Sequence, residues 1–318
     1  GNILIMDLDY LYALQCAREA SPEVLTTIIF NIAEIAGGAL PSIIFAIIYW
    51  NVNKKLGERM FMSFASANAL NGLMKITGCV YRPWIRDARL HVADIAAETA
   101  TGYSFPSGHS TAAGAAYTSI AKGYKEKKPL VAVCIFLMLA TPFGRNWVGA
   151  HTPQDVLVGL LVGIVMTFVS FALMDKLDKT DNGDVKLLAV VVIIVILGVA
   201  YTVLKPYPTD LGADGLLLAD PYVMQTDTIK GMGMILGMAA GLLTEKRLVN
   251  FSNQVDFKTK VVRGVLGIIL VLIMYLVIGG FATELLGPHV GGFIKRFLAY
   301  FAPSGLVPLC FKVLKIDR

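Results

Sequence analysis

Residues 187–204 read LLAVVVIIVILGVAYTVL, a run of 18 side chains without a charge. A helix of this length is about 27 Å long, close to the roughly 30 Å hydrocarbon core of a bilayer. Similar apolar runs recur along the 318-residue chain, which is 56% hydrophobic and 16% charged. A soluble domain carries roughly a quarter charged residues. The sequence therefore predicts an all-α, polytopic membrane protein.

The apolar runs predict about nine transmembrane helices. The seventh is short, and Pro303 and Pro308 interrupt the ninth. The expected spans lie at about 24–50, 57–79, 107–123, 129–149, 154–174, 186–204, 229–243, 262–282 and 291–311.

The charges of the loops predict the orientation of the chain in the membrane. Acidic residues collect before the first span and after the sixth, and basic residues collect in the alternate loops, for example Lys54, Lys55, Lys122, Lys125, Lys246, Arg247, Lys312 and Lys315. By the positive-inside rule the basic loops are cytoplasmic, so the N-terminus lies outside and the C-terminus inside. The mixed loop 175–186 fits this pattern weakly. The net charge of +5 is explained by these loops, and we expect no nucleic-acid partner.

Three parts of one integral domain are expected. Residues 1–23 form an N-terminal extracytoplasmic or interfacial segment, residues 24–174 a core, and residues 175–318 additional C-terminal helices. Within the first part, residues 5–18 mix apolar and acidic side chains. That mixture fits an interfacial helix and an ordinary extracytoplasmic cap equally well.

Three short motifs lie at the predicted outer ends of spans two to five. They contribute three cations, two imidazoles and one carboxylate to the same side of the membrane. Ionisable side chains at membrane depth are expensive, so such a cluster predicts a functional site. The motifs are Lys75-x6-Arg82-Pro83, Pro106-Ser107-Gly108-His109 and Arg145-x5-His151-x3-Asp155.

The cations and one helix start are suited to phosphate. Lys75 and Arg82 are about two helical turns apart, so they point the same way if the helix continues to Tyr81. Ser107 and Gly108 open the third span, where free backbone N–H groups form an anion site and Gly108 lets a phosphate approach. Arg145 adds a planar fork for two phosphate oxygens.

The two histidines and the aspartate are suited to group transfer. Thr152 and Pro153 predict an N-cap and a first helical residue, which places Asp155 one turn after His151. Asp155 can then accept a hydrogen bond from one ring nitrogen of His151 and leave the other as a nucleophile. This arrangement predicts a phosphohistidine at His151, with His109 as acid and then base. Because three cations neutralise the phosphoryl oxygens, we expect no metal and no cofactor.

The three motifs resemble those of the type-2 phosphatidic-acid phosphatase superfamily, which includes lipid phosphatases, glucose-6-phosphatase and vanadium haloperoxidases. The resemblance covers residues of about 57–174 and implies the same roles for its matching positions, which are Lys75, Arg82, Ser107, Gly108, His109, Arg145, His151 and Asp155. Gly144 departs from it, because the third motif usually has Ser before its Arg. Nine spans, two of them before the first motif, resemble the layout of glucose-6-phosphatase and sphingosine-1-phosphate phosphatase.

The expected function is a metal-independent phosphatase of a bacterial plasma membrane, with its site on the extracytoplasmic face. Its substrate would be an amphiphile from the bilayer: a lipid phosphate monoester or an isoprenoid (di)phosphate. Alternatives are a soluble phosphomonoester such as a sugar phosphate, or a non-catalytic binder or transporter of anionic lipids. Taken alone, His-x3-Asp is also typical of a structural pair or half a metal site.

The sequence also carries a stripe of small residues in the seventh span. Gly233, Gly237 and Gly241 lie on one helix face and predict close helix packing, either inside the chain or in a homodimer. The four cysteines have no metal-ligand spacing and fit a packing role.

Overall fold

The computed structural model describes residues 2–318, with side chains from residue 7 onward. Residue 1, part of the predicted N-terminal segment, lies outside the described residues. The described chain is helical, with one isolated β-bridge between Leu211 and Leu217. The helices are α1 Asn2–Glu19, α2 Glu23–Gly37, α3 Leu40–Asn51, α4 Lys54–Gly78, α5 Pro83–Arg86, α6 Asp94–Ala97, α7 Gly108–Gly123, α8 Lys128–Trp147, α9 Pro153–Leu177, α10 Gly183–Leu204, α11 Pro221–Thr244, α12 Phe257–Leu272, α13 Gly279–Phe301 and α14 Val307–Val313.

The all-α prediction is confirmed, and helices cover each predicted span. Among residues 2–318, five helical runs are long and apolar enough to cross a membrane: Glu23–Asn51, Lys128–Trp147, Pro153–Leu177, Gly183–Leu204 and Phe257–Val313. The last run includes π-helical segments Ile273–Ile278 and Ala302–Leu306, and it kinks at Gly287, whose φ of 78° is not helical. The chain is therefore an integral membrane protein.

The chain divides into two compact units, and the first contains all three motifs. It consists of Gly1–Pro41, Leu70–Val165 and Lys205–Met224. Inside it, α2, α7 and α8 pack on one another, and α1 packs on α8. The Arg18 guanidinium joins the end of α1 to this group, because Nη1 donates to the carbonyl of Trp147 at 3.0 Å.

The second unit consists of Ser42–Ala69, Met166–Leu204 and Gln225–Arg318. Its α11 packs closely on α13, because a Cβ added at Gly233 would lie 2.5 Å from the carbonyl oxygen of Phe293. Gly237 and Gly241 meet Phe297 and Ser304 in the same way. The small-residue stripe predicted from the sequence is therefore an internal helix contact.

Candidate active site

His151 lies in the turn between α8 and α9 and is only 3% exposed. Its Nε2 is 3.1 Å from Nη1 of Arg82. A guanidinium is donor-only, so Nε2 must be the unprotonated nitrogen and the ring proton lies on Nδ1. The protein thus holds one lone pair of a buried imidazole in a fixed direction.

Asp155 faces the other ring nitrogen, but at a longer distance than expected. Its Oδ2 is 3.7 Å from Nδ1 of His151, which is an ion-pair distance and not the direct hydrogen bond that the spacing predicts. The difference arises because the same oxygen already accepts from Oγ of Ser104 at 2.5 Å and from the amide of Thr152 at 2.8 Å. The predicted N-cap is confirmed, since the amide of Asp155 donates to Oγ1 of Thr152.

Arg82 organises the loops around His151. Its guanidinium donates to the carbonyls of Thr101, Gly102 and Ala150 as well as to His151, so four of its five N–H groups are in use. Burial and the nearby cation of Arg145 lower the pKa of Arg82 to about 9, so it stays charged at neutral pH.

Lys75 and Arg82 converge by a different route from the predicted one. The helix α4 ends at Gly78, and Cys79 has a φ of 47°, so the helix does not continue to Tyr81 and the expected two-turn alignment is wrong. Instead, Lys75 donates to the carbonyl of Tyr103 at 3.0 Å, next to the loop carbonyls that bind Arg82.

The second motif opens α7 as predicted. Ser107 is the N-cap, and its Oγ accepts from the amide of Ser110 at 3.4 Å. The Ser107 amide donates to the carbonyl of Asp155 at 2.9 Å, which joins the second motif to the third. A Cβ at Gly108 would have Asn71 as its nearest neighbour, at 3.8 Å, so protein packing does not require glycine there. The amides of Gly108 and His109 remain for the predicted anion site.

Arg145 and His109 meet through a side chain that the sequence did not single out. One oxygen of Glu34, on α2, is 2.5 Å from Nη1 of Arg145, and the other is 3.1 Å from Nε2 of His109. Arg145 is 1% exposed, and its Nε has no partner among the described residues. A buried donor without a partner costs free energy, so the Nε–H of Arg145 is suited to donate a hydrogen bond to a bound anion.

Two residues of the cluster, Glu34 and Ser104, were therefore missed. The sequence does indicate Glu34, because it is the one charged residue of the predicted span 24–50 and an ionisable side chain at membrane depth predicts a functional role. Ser104 had none, since its burial follows from the fold of the loop before the second motif.

Close helix packing places Glu34 in the cluster. A Cβ added at Gly144 would lie 2.8 Å from Cβ of Ala33, and one at Gly37 would lie 2.9 Å from Cβ of His109. Both distances are shorter than ordinary van der Waals contacts, so α2 approaches α8 and α7 closely only because these residues are glycines. The departure from the usual motif at Gly144 thus has a structural reason.

The eight predicted residues all belong to the first unit. Arg82, His151 and Asp155 form one contacting group, Arg145 and His109 another through Glu34, and Lys75 reaches the loop that Arg82 binds. Burial and the cation of Arg82 lower the pKa of His151 well below its usual value, so the imidazole is neutral at neutral pH. Among side chains 7–318, no three His, Cys, Asp or Glu converge on a metal position.

Comparison with known proteins assigns the family. Residues 59–179 match the PAP2 superfamily, and residues 229–318 match the transmembrane extension of PAP2 superfamily phosphatases. Undecaprenyl-diphosphatase BcrC of Bacillus subtilis (strain 168) is 34% identical over 158 residues, which are 48% of this chain and 77% of that protein. No solved structure matches. With its motifs gathered in one unit and its helices apolar enough to span a bilayer, the chain belongs to the PAP2 superfamily and is a membrane phosphatase that hydrolyses phosphate esters.

Proposed function

We propose that the chain hydrolyses a lipid phosphate monoester or an isoprenoid (di)phosphate at the outer membrane face, through a phosphohistidine at His151. The observation that supports this most is the contact between Arg82 and Nε2 of His151. The Nε2 atom is buried and unprotonated, and its lone pair points at the guanidinium that would bind the phosphate oxygens.

In the first step, Nε2 of His151 attacks phosphorus. The substrate takes over hydrogen bonds from Arg82, the buried Nε of Arg145 and the amides of Gly108 and His109. The P–O bond to the leaving group breaks as the P–N bond forms, and His109 gives its proton to the leaving oxygen. Asp155 stabilises the positive charge that develops on the ring of His151.

In the second step, water attacks the phosphohistidine. His109, now neutral, accepts a proton from that water. The P–N bond breaks, its electron pair returns to Nε2 of His151, and inorganic phosphate leaves. Lys75 and the two arginines carry the charge of the phosphoryl oxygens throughout.

The membrane topology predicted from the sequence favours an amphiphilic substrate. The proposed topology has nine spans, and the last two of them lie in the run Phe257–Val313. This run is 57 residues long, or about 85 Å if straight, which is nearly three times the bilayer core and too long for a single crossing. With the N-terminus outside, the motifs in the core 24–174 lie at the level of lipid head groups. The relative that is named an undecaprenyl-diphosphatase favours an isoprenoid carrier within this class.

Phosphate release from the purified protein tests the proposal. We expect release from a lipid and isoprenoid phosphate panel that EDTA does not reduce, and little release from soluble sugar phosphates. Release only from soluble esters would point to the sugar-phosphate alternative, and binding without release to the non-catalytic one.

The nucleophile is tested by His151→Ala. This variant should release phosphate at less than about a thousandth of the wild-type rate, because the proposed covalent intermediate forms on the imidazole that it removes. It should still bind a phosphate analogue through the arginines. The matched control is His91→Ala, since His91 is exposed and pairs with Glu19. Full activity in His151→Ala would remove the assignment.

A further inference from the structure

We propose that Glu34 is the positioning residue of His109: its carboxylate holds Nε2 and leaves Nδ1 to exchange the proton with the leaving group. The site would then contain two carboxylate–imidazole pairs, one for the nucleophile and one for the acid. The inference rests on the proposed function, because it assigns a partner to the acid of that mechanism.

The geometry fixes the orientation of the ring. Oε2 of Glu34 lies 3.1 Å from Nε2 of His109, and both side chains are about one quarter exposed. An ionised carboxylate only accepts hydrogen bonds, so Nε2 carries a proton and the second proton of the imidazolium lies on Nδ1. The Nδ1 proton is then the one available to a leaving oxygen.

The charges around His109 explain why a protonated ring needs the carboxylate of Glu34. Around α7, the helix α8 contributes Arg145 and α4 contributes Lys75, and both cations act on His109. The helix α9 contributes Asp155, which is engaged by Ser104 and Thr152. Two nearby cations disfavour a third positive charge on His109, yet a general acid must carry its proton. Glu34, on α2, is the negative charge in contact with that ring.

The position of Glu34 is built into the helix packing. Gly37, one turn after Glu34, sits against Cβ of His109, and Gly144, one residue before Arg145, sits against Ala33. Both glycines bring the backbone of α2 to the two side chains that Glu34 binds. Its two oxygens are also divided between Arg145 and His109, which fixes the rotation of the carboxylate.

Glu34 transfers no proton itself. In the first step the P–O electron pair goes to the leaving oxygen, which receives the proton from Nδ1 of His109. In the second step Nδ1 takes a proton from the attacking water. During both steps Nε2 keeps its proton, hydrogen-bonded to Glu34. Loss of the carboxylate should therefore slow the steps in proportion to how much they need proton transfer.

The test is Glu34→Gln with two substrates that share one alkyl tail, an alkyl phosphate and an aryl phosphate, in the same detergent. The alkyl ester releases an alkoxide, which leaves only with a proton. The aryl ester is a nitrophenyl phosphate, and its nitrophenolate leaves without one. We expect kcat/KM to fall about 100-fold for the alkyl ester and to change less than about 3-fold for the aryl ester. For the aryl ester, kcat and KM should fall together, because only the second step is slowed, and a burst of nitrophenol should appear.

Matched variants keep this test decisive. Glu23→Gln alters an exposed glutamate of the same helix and should leave both esters unchanged. Glu34→Asp keeps the charge on a shorter side chain, so its alkyl-to-aryl ratio should lie between those of wild type and Glu34→Gln. Equal losses of kcat/KM on both esters would mean that Glu34 only supports the fold, and a gain on both would mean that it blocks the phosphate site; either result overturns the inference. Absence of turnover in wild type overturns the proposed function as well.

Discussion

At the residue scale, the charge of the His151 imidazole determines the acid limb of the pH profile. In the proposed mechanism His151 must be neutral to attack, and burial with the cation of Arg82 lowers its pKa well below its usual value. Acidification removes the nucleophile only when the pH passes through that lowered pKa. We therefore expect the acid limb of kcat/KM to lie below about pH 6, roughly half a unit under the usual pKa of histidine.

The pH profile also tests the cause of this shift. Removing the cation in Arg82→Gln should raise the pKa of His151, so the acid limb of kcat/KM should move to higher pH, in addition to an overall loss of rate. A pH–rate profile of both proteins with the same ester measures this. An acid limb above pH 7 in the wild type would contradict the arrangement around Nε2.

A second residue-scale prediction concerns the charge of Asp155. In Asp155→Asn the amide oxygen can still accept from Ser104 and Thr152, so the turn should be preserved. The imidazolium of the first step then lacks its counter-charge, and we expect kcat to fall by about 10²–10⁴. Single-turnover phosphate release measures the loss, and Asp94→Asn, at an exposed position, is the control.

The sequence could predict the residues of this turn but not all of their contacts. The cap at Thr152 follows from local chain geometry, which spacing encodes. The distance between His151 and Asp155 depends on Ser104, 47 residues before His151, and on how its loop folds. Side chains brought in by tertiary packing leave no local pattern, and this is why Ser104 was missed.

At the element scale, the contact between α2 and α8 determines where Glu34 lies. Gly144→Ala would place a Cβ against Ala33, so the helices must separate. We expect a loss of about 1–3 kcal/mol of stability and a drop of about 10-fold in kcat/KM, because small displacements of a positioning group are costly. Thermal inactivation in detergent and initial rates measure the two effects.

The matching control is a second glycine in a helix. A Cβ at Gly280 meets no atom within 4 Å, so Gly280→Ala should not destabilise the protein. The double variant Ala33→Gly/Gly144→Ala removes the clash and should recover part of both losses. Equal behaviour of the single and double variants would show that this contact does not position α2.

The end of α4 shows what helix patterns miss. Pro83 predicts that the helix ends before it, and α4 does so. The observed end is earlier, at Gly78, because the chain turns at Cys79 with a positive φ. Non-glycine residues rarely adopt that conformation, so no sequence rule favours it. Helix boundaries set by such turns are fixed by the loops that follow.

At the scale of the whole molecule, the proposed topology places the site on the extracytoplasmic face, and cysteine labelling tests that placement. In a cysteine-free background, a cysteine at Glu98, before the second motif, should react with an impermeant maleimide in intact spheroplasts. One at Lys125, in the loop between α7 and α8, should react only after permeabilisation. Both positions are exposed, so accessibility does not bias the comparison. The reverse labelling pattern would place the site on the cytoplasmic face.

Hydropathy predicted the class of the whole chain well, and the helices lie where apolar runs were found. It is less informative about the number of crossings, because α4, α7 and α11 are not among the five apolar runs. The polar side chains of α4 and α7 serve internal contacts, such as the hydrogen bond between Asn71 and Thr111. A hydropathy sum counts such residues as if they faced lipid.

The ion pair between Glu34 and Arg145 also constrains how the protein is made. The two residues are 111 positions apart, so at roughly 5–20 residues per second the arginine follows the glutamate by about 6–22 s. The first span is therefore delivered to the bilayer before the partner of its acid exists. A central acidic residue adds about 3 kcal/mol to insertion, which roughly five to ten apolar side chains of the same span offset. The many apolar side chains of this span are thus needed for insertion, because Glu34 enters the bilayer before Arg145 has been synthesised.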